Sequence, residues 1–520
     1  MPDLVERVLA AADRHGAAPA LSGPPAPRRA RAGRRGWPGA HCARPLTYAE
    51  VGGRVRAVAT RLRAAGFVPG RRMLFSVRPS PDAVVLALGT VAAGGTVVFV
   101  DPGVGSALFA ARTELAAPSW AAAESVLYAA GRPPLRAFAR RRGVLLPDYG
   151  RLPVRHVRAG RWLPGVPRGA LALSALTRPA DRPHVVVDAP DQDAVVVFTA
   201  GTTDAPKAVV HTRGSLGAAL DVLAARCALG PGTRVHTDQF LLGLPALVGG
   251  GHWSMPPHGF APAARPDELA RGLDGATHTF LVPADLAAVL DAVESGAVAL
   301  PRSLRQVLLG AAPVLPPLLC RATAVLPDVE FLAVYGMTEI LPVAVATATE
   351  KLAYAGPGDL VGAPLPGVTA RIDDAGRLVV AGTHLARGYL GGPALTEHVT
   401  GDLARLDAGA IVLGGRATDM IIRGRTNIYP GLHEPAIARL PGVAQAVLLG
   451  VPDGIGDDRV VLALVADPGA PRDLAARVRA ALPGLIDAAA LPDEVLVVPE
   501  VPVSGRARKP DRAALRARIA

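Results

Sequence analysis

The stretch from Phe198 to Leu216, FTAGTTDAPKAVVHTRGSL, restricts the fold more than any other part of the chain. The apolar run Ala194 to Phe198 ahead of it reads as a buried strand, and Gly214 to Ala225 behind it as a helix. Between them Thr199, Gly201, Thr202 and Thr203 form a loop closed by Pro206 and Lys207. Such a loop suits a phosphate. Gly201 admits a close approach of the backbone, the threonine hydroxyls and loop N–H groups donate hydrogen bonds, and Lys207 adds a point charge. The stretch does not match GxxxxGK[ST], so it is not a P-loop. Taken alone, a polar turn after a strand accounts for it as well.

The rest of the chain sets this loop in an α/β frame. Residues 1 to about 20 read as a helix, and the Pro- and Arg-rich Gly23 to Arg44 as a loop. A strand or turn start, a long helix, the strand RRMLFSV, the helix SPDAVVLALGTVAAGG and the strand TVVFV then alternate. Further strands are expected at His184 to Val187 and in THTFL, LRQVLLG and VEFLAVYG, each ending in a polar or Gly-rich tip. Ligands of open α/β sheets bind at such strand ends. From Gly362 to Gly415 the texture becomes β-rich, and after it a small α+β unit follows. The expected division is a large N-terminal domain of helix-flanked sheets, 1–415, with its β-rich subdomain at about 362–415, and a small C-terminal domain, 416–520.

Charge narrows the partners. The formal charge of +12 comes from 56 Lys and Arg against 44 Asp and Glu. The basic residues cluster at Arg28, Arg29, Arg31, Arg34 and Arg35 and at Arg140 to Arg142, with no aromatic stacking platform beside them, so solvated loops rather than nucleic-acid binding are expected. Cys42, Cys227 and Cys320 lie far apart, which fits neither a metal site nor a disulfide framework and points to a cytoplasmic setting. The N-terminal helix carries charges throughout and is not expected to act as a secretion signal. Ala83 to Val100 is uncharged, yet Gly94 and Gly95 divide it into helix, turn and strand, so no membrane span is expected.

Further motifs sit at strand ends. In VYGMTEI, Tyr335 offers a ring for stacking on a base, Thr338 a hydroxyl for a phosphate and Glu339 a carboxylate for a hard cation. TGDLARLD places Asp402 to accept two ribose hydroxyls, Arg416 follows in GGRATDM, and SGRARKPDR sets Lys509 in a basic loop before a terminal helix.

In this order the motifs resemble those of the adenylate-forming superfamily, which includes acyl-CoA synthetases, peptide-synthetase adenylation domains and luciferase. The resemblance covers roughly Leu46 to Leu515. It implies ATP-dependent activation of a hydrophobic, fatty-acid-like carboxylic acid to an acyl-adenylate, with release of pyrophosphate and with Mg²⁺ as metal. It implies that Thr199, Gly201, Thr202, Thr203 and Lys207 wrap the ATP phosphates and that Gly310, Ala311, Ala312 and Pro313 lie beside the adenine, on which Tyr335 stacks. Thr338 would touch the α-phosphate and Glu339 hold Mg²⁺. Asp402 and Arg416 would bind ribose, and Lys509, on a mobile C-terminal domain, would bridge carboxylate and α-phosphate. This chain departs from the superfamily pattern at Ala200, at Asp204, whose charge opposes a phosphate, at Ala208, at the hinge position Thr418 and at Arg508.

NIYPGLHE, Asn427 to Glu434, resembles the matching stretch of acyl-CoA ligases and implies transfer to a thiol, either CoA or the phosphopantetheine of an acyl carrier protein. DPGVG, Asp101 to Gly105, and YGMTEILPVA resemble β-lactone synthetases, in which a 3-hydroxyl closes on the activated carboxyl. A degenerate homologue that binds an acyl or nucleotide ligand without turnover is the third reading. In each, Phe240, Leu241, Ile340 and Leu341 are expected to line an apolar acyl pocket, although a plain core segment explains Thr237 to Leu247 nearly as well.

Overall fold

The computed structural model describes residues 3–24, 44–103, 106–133, 135, 146–180, 186–199, 207–312, 314–356, 358–416, 421–424, 426–428, 430–438, 440–453, 457–504 and 509–519. Two eight-stranded sheets carry the large N-terminal region. In the first, the strands run in the order Gly388–Tyr389, Lys207–Thr212, Asp193–Thr199, Thr96–Phe99, Arg72–Ser76, Trp120–Glu124, Arg155–Ala159 and Leu171–Ala172. In the second the order is Ile340–Thr347, Glu330–Met337, Gln306–Leu309, His278–Leu281, Arg234–His236, His252–Ser254, Pro19–Ser22 and Leu46–Thr47. Pairing is parallel through the middle of both, as helical crossovers require.

The uncharged stretch Ala83 to Val100 shows how local signals become packing. Ser80 caps the helix Pro81–Ala92, whose residues from Ala83 to Ala92 are all buried. Gly94 turns the chain at a φ of +90°, open to glycine at little cost, and Thr96–Phe99 enters the sheet. A membrane-like composition here reflects burial on every side. No described helix is long and apolar enough to cross a membrane.

A five-stranded antiparallel sheet follows, in the order Asp359–Gly362, Ala410–Arg416, His398–Asp407, Arg377–Gly382 and Val368–Ile372. The C-terminal region has its own core, in which Ile437, Leu448, Leu462, Leu474 and Val478 pack around the sheet Val443–Pro452, Asp458–Ala466 and Glu494–Val497. The fold is mixed α/β, a large N-terminal region of sheets and helices with a small C-terminal domain.

Two sequence expectations need correction. His184 to Val187 was expected as a strand, but Val186 to Ala189 has none, and residues 184 and 185 lie outside the described residues. That segment is held instead through the Ala189 amide, which donates to Asp3 Oδ2 at 2.9 Å. The chain also does not run from the loop straight into a helix. Lys207–Thr212 is a strand antiparallel to Asp193–Thr199, with Thr199 opposite Lys207, so residues 200–206, outside the described residues, connect two paired strands.

The second sheet carries a pH-dependent element. His236 is 5% exposed, its Nδ1 3.0 Å from Ser254 Oγ. Burial, aided by Arg234, pushes its pKa down to about 4. The unfolded chain therefore takes up this proton first, near pH 6.5. Stability is full above that value and falls as pH drops toward 4, by about 3 kcal/mol for this one group. Urea unfolding at pH 7.5 and pH 5 is expected to show the loss, and His236→Asn to flatten it. Equal slopes in both proteins would refute the assignment.

Candidate active site

Strand Gln306–Leu309 lies parallel to Glu330–Met337, which turns at Thr338 and Glu339 into Ile340–Thr347. Gly310 ends the first of these strands. A Cβ there would stand 3.3 Å from both the Phe280 ring and the Val334 carbonyl oxygen, so only glycine leaves the backbone uncrowded. Ala311 adopts a left-handed φ of +65°, which turns the chain sharply at this edge, before Ala312. Tyr335 is half-buried one residue beyond Val334, and its hydroxyl donates to Asp402 Oδ2 at 2.7 Å. Asp402 in turn sits directly opposite Arg416 in the antiparallel pair of the five-stranded sheet. Motifs from three separate segments thus share one edge.

Glu339 is 8% exposed. Its Oε1 accepts the Tyr389 hydroxyl at 2.8 Å, and its carbonyl accepts the Ala386 amide at 2.7 Å. No ion pair reaches it from any described residue. Tyr389 is carried here because Gly388–Tyr389 pairs with Lys207–Thr212, Tyr389 opposite Val209. The Lys207 ammonium lies 5.5 Å from the centre of the Tyr389 ring. Burial pushes the Tyr389 phenol above its usual range and the Glu339 carboxylate adds to this, so it stays a donor. His211, on the same strand as Lys207, has Nε2 2.7 Å from the Thr338 carbonyl oxygen, which assigns the proton to Nε2. Burial holds the His211 pKa low, against the pull of that carbonyl and of Glu339. His398 is held low in the same way, by burial first, with Glu339 opposing and Lys207 assisting.

The structure therefore brings Thr199, Lys207, Thr338 and Glu339 into one neighbourhood, and Gly310, Ala311, Tyr335, Asp402 and Arg416 onto the adjoining edge. Gly201, Thr202, Thr203, Asp204, Pro313 and Thr418 lie outside the described residues. Lys509 lies on a two-stranded ribbon, its backbone opposite Ser504. Among the expected acyl-pocket residues, Phe240 opens the helix Phe240–Gly249, in which Leu241 follows, and packs on Trp253 and Phe99 at 5.5 and 5.8 Å between ring centres. Ile340 is fully buried against Val343, Leu378 and Val380, so its side chain is committed to the core. Leu341, on the other face of the strand, stays partly open.

Tyr389, His211 and His398 escaped the sequence reading. The signal for His211 was present, since it alternates with Val210 in a run that reads as a strand once Lys207 is its start. Nothing local marks Tyr389 in ARGYLGG.

A buried carboxylate held by one neutral hydroxyl and unmatched by a described cation fits a metal ion, whose charge would offset the burial cost. The Tyr335–Asp402 pair beside the Gly310 edge fits a nucleoside, with a ring face and a carboxylate acceptor side by side.

A profile described as AMP-binding enzyme matches residues 12–390, and one described as AMP-binding enzyme C-terminal domain matches residues 433–508. A salicylyl-CoA synthase / salicylate adenylyltransferase of a Streptomyces species is 30% identical over 517 residues, covering 91% of this chain and 88% of that protein. The fatty acid–[acyl-carrier-protein] ligase ScoC of Streptomyces coeruleorubidus is 32% identical over 328 residues, 56% of this chain and 62% of its own. The solved structure of the amide bond synthetase McbA from Marinactinospora thermotolerans superposes with a TM-score of 0.77 at 25% identity, covering 99% of both chains. The profile match over most of the chain, joined to this site, shows that the chain belongs to the AMP-binding enzyme family, within the adenylate-forming superfamily.

Proposed function

We propose that this protein uses ATP and Mg²⁺ to convert a carboxylic acid with an apolar tail into an acyl-adenylate and pyrophosphate, and then passes the acyl group to a thiol, CoA or a carrier-protein phosphopantetheine, forming a thioester and releasing AMP. The observation that carries the reading is the 2.7 Å contact between Tyr335 and Asp402, residues 67 apart in sequence that meet at the strand edge beside Gly310.

In this reading Tyr335 stacks on adenine along the Gly310, Ala311 and Ala312 edge, while Asp402 and Arg416 take the ribose. Thr199, Gly201, Thr202, Thr203 and Lys207 hold the phosphates, Thr338 contacts the α-phosphate, and Glu339 holds Mg²⁺, which supplies charge neutralisation at the phosphates. Lys509 meets the charge that develops between carboxylate and α-phosphate. Phosphoryl chemistry of this kind depends mainly on positioning and charge stabilisation, so these residues carry most of the rate. Phe240, Leu241 and Leu341 border the acyl tail, the large domain spans 1–415, and the 416–520 domain turns at Thr418 to admit the thiol. The salicylyl-CoA synthase and carrier-protein ligase relatives support thiol transfer.

Asp402→Ala is expected to weaken ATP binding at least tenfold, the scale of losing hydrogen bonds to a charged acceptor, while leaving the Mg²⁺ dependence unchanged. Calorimetric titration with ATP checks it, and wild-type affinity in the variant would refute the ribose role. The function itself is tested by pyrophosphate exchange across a panel of aromatic and fatty acids. Mass spectrometry of products then compares CoA, an acyl carrier protein, an amine and no acceptor. A thioester is expected. An amide alone, or a lactone from a 3-hydroxy acid with no acceptor present, would replace the thiol step, and no exchange with any acid would overturn the reading.

A further inference from the structure

Glu339 and Lys207 carry opposite charges, and one side chain, Tyr389, touches both. The Tyr389 hydroxyl donates to Glu339 Oε1 at 2.8 Å, and the face of its ring receives the Lys207 ammonium at 5.5 Å. Neither Glu339 nor Lys207 forms an ion pair with any described residue. Glu339 is buried and Lys207 exposed, so the ammonium, left free of the ring, would be drawn toward the carboxylate, and closure would spend the charge each offers a ligand.

We propose that Tyr389 is a positioning residue that keeps these two charges apart and available, its hydroxyl fixing Glu339 for the metal ion and its ring holding Lys207 for the phosphates. This rests on the reading that Glu339 holds Mg²⁺ and Lys207 contacts ATP. The geometry is built into the fold. Tyr389 is fixed opposite Val209 in the strand pair that also carries Lys207, and the Ala386 amide ties the same segment to the Glu339 carbonyl at 2.7 Å. Backbone pairing therefore sets the height of the ring relative to both charges. The two contacts use different parts of the side chain. A hydroxyl bonded to a carboxylate is a charge-assisted contact, whereas an ammonium over a ring face is held by the ring quadrupole and needs no hydroxyl.

That difference makes the proposal separable by substitution. Tyr389→Phe keeps the ring and removes the hydroxyl, whereas Tyr389→Leu removes both contacts and opens the way for Lys207 to reach Glu339. Binding of ATP is measured by calorimetry in metal-free buffer and with Mg²⁺, and Mg²⁺ is titrated in pyrophosphate exchange. In Tyr389→Phe the gain in ATP affinity on adding Mg²⁺ is expected to shrink about tenfold, and half-saturating Mg²⁺ to rise by the same factor. Metal-free ATP affinity is expected to stay at its wild-type value, while the thermal midpoint falls somewhat because the buried Glu339 carboxylate loses its hydroxyl donor. In Tyr389→Leu the metal-free affinity is expected to fall as well, because Lys207 is drawn to Glu339. A Tyr389→Phe protein with wild-type Mg²⁺ dependence, or one whose affinity loss is the same with and without metal, would overturn the proposal. If the wild-type protein itself shows no Mg²⁺-dependent ATP binding, the reading of Glu339 fails, an outcome distinct from an unchanged Tyr389→Phe.

Discussion

Replacing Lys509 with alanine is expected to lower acid-dependent pyrophosphate exchange by about 10²–10³, the loss typical of removing one donor to a reacting centre. The fold is expected to survive, because the segment is anchored elsewhere. Backbone pairing holds Val503–Ser504 against Lys509–Pro510, and beyond it Arg512 donates from both terminal nitrogens to Glu434, at 2.8 and 2.9 Å. Leu515 then buries its side chain to 1% exposure in the terminal helix Arg512–Ile519. Lys509→Arg is expected to recover little, since a planar guanidinium does not offer the point charge of an ammonium. Exchange measured beside a thermal melt decides the matter. Activity within a few-fold of wild type would remove Lys509 from the chemistry, and a large drop in melting temperature would show that the loss came from the fold.

The largest effect on stability is expected at Asp3. Its side chain is fully buried and Arg213's is 2% exposed, with contacts of 2.9 Å from Nε and 2.6 Å from Nη2. The same carboxylate caps the first helix, accepting the Val5 and Glu6 amides at 2.8 and 3.2 Å, and binds the Ala189 amide at 2.9 Å. Burial opposes ionisation, yet the bonds from Ala189 and Arg213 outweigh it and hold the carboxyl below its usual range. Its contribution is therefore present above the unfolded pKa and lost as pH falls through the lower folded value. Asp3→Ala leaves a guanidinium buried without its partner, which costs about 3–5 kcal/mol. Urea unfolding at pH 7.5 measures it. The double variant Asp3→Ala with Arg213→Met is expected to regain part of the loss, because a buried ion pair is worth far less against an apolar pair than against a lone charge. A single-variant loss below about 1 kcal/mol, the size of a helix cap alone, would show that Arg213 finds water instead.

Much of the fold was legible because local sequence speaks directly to local structure. The long helix Tyr48–Ala64, the strand Arg72–Ser76, the capped Pro81–Ala92 and the strand Thr96–Phe99 all formed near where the pattern placed them. The helix Phe240–Gly249 was not anticipated as an element, because Pro245 and the glycines argue against a helix and burial against Trp253 overrides them. The strand Lys207–Thr212 was hidden by the loop before it, because a short apolar run between small polar residues and a helix start carries little alternation of its own.

By itself, the sequence determined which residue types were available and in what order. Hydroxyls and a lysine follow one strand, Thr338 and Glu339 stand at another's tip, and Asp402, Arg416 and Lys509 come later, enough to recognise the superfamily. Only the tertiary structure decided which of these side chains meet. Tyr335 reaches Asp402 across 67 residues, Tyr389 reaches Glu339 across 50, and Arg213 reaches Asp3 across 210. Periodicity over a few residues sets the face a side chain occupies. The distance between two such faces depends on strand order, register and the packing of whole sheets, a sum of many weak contacts that no short stretch of sequence contains.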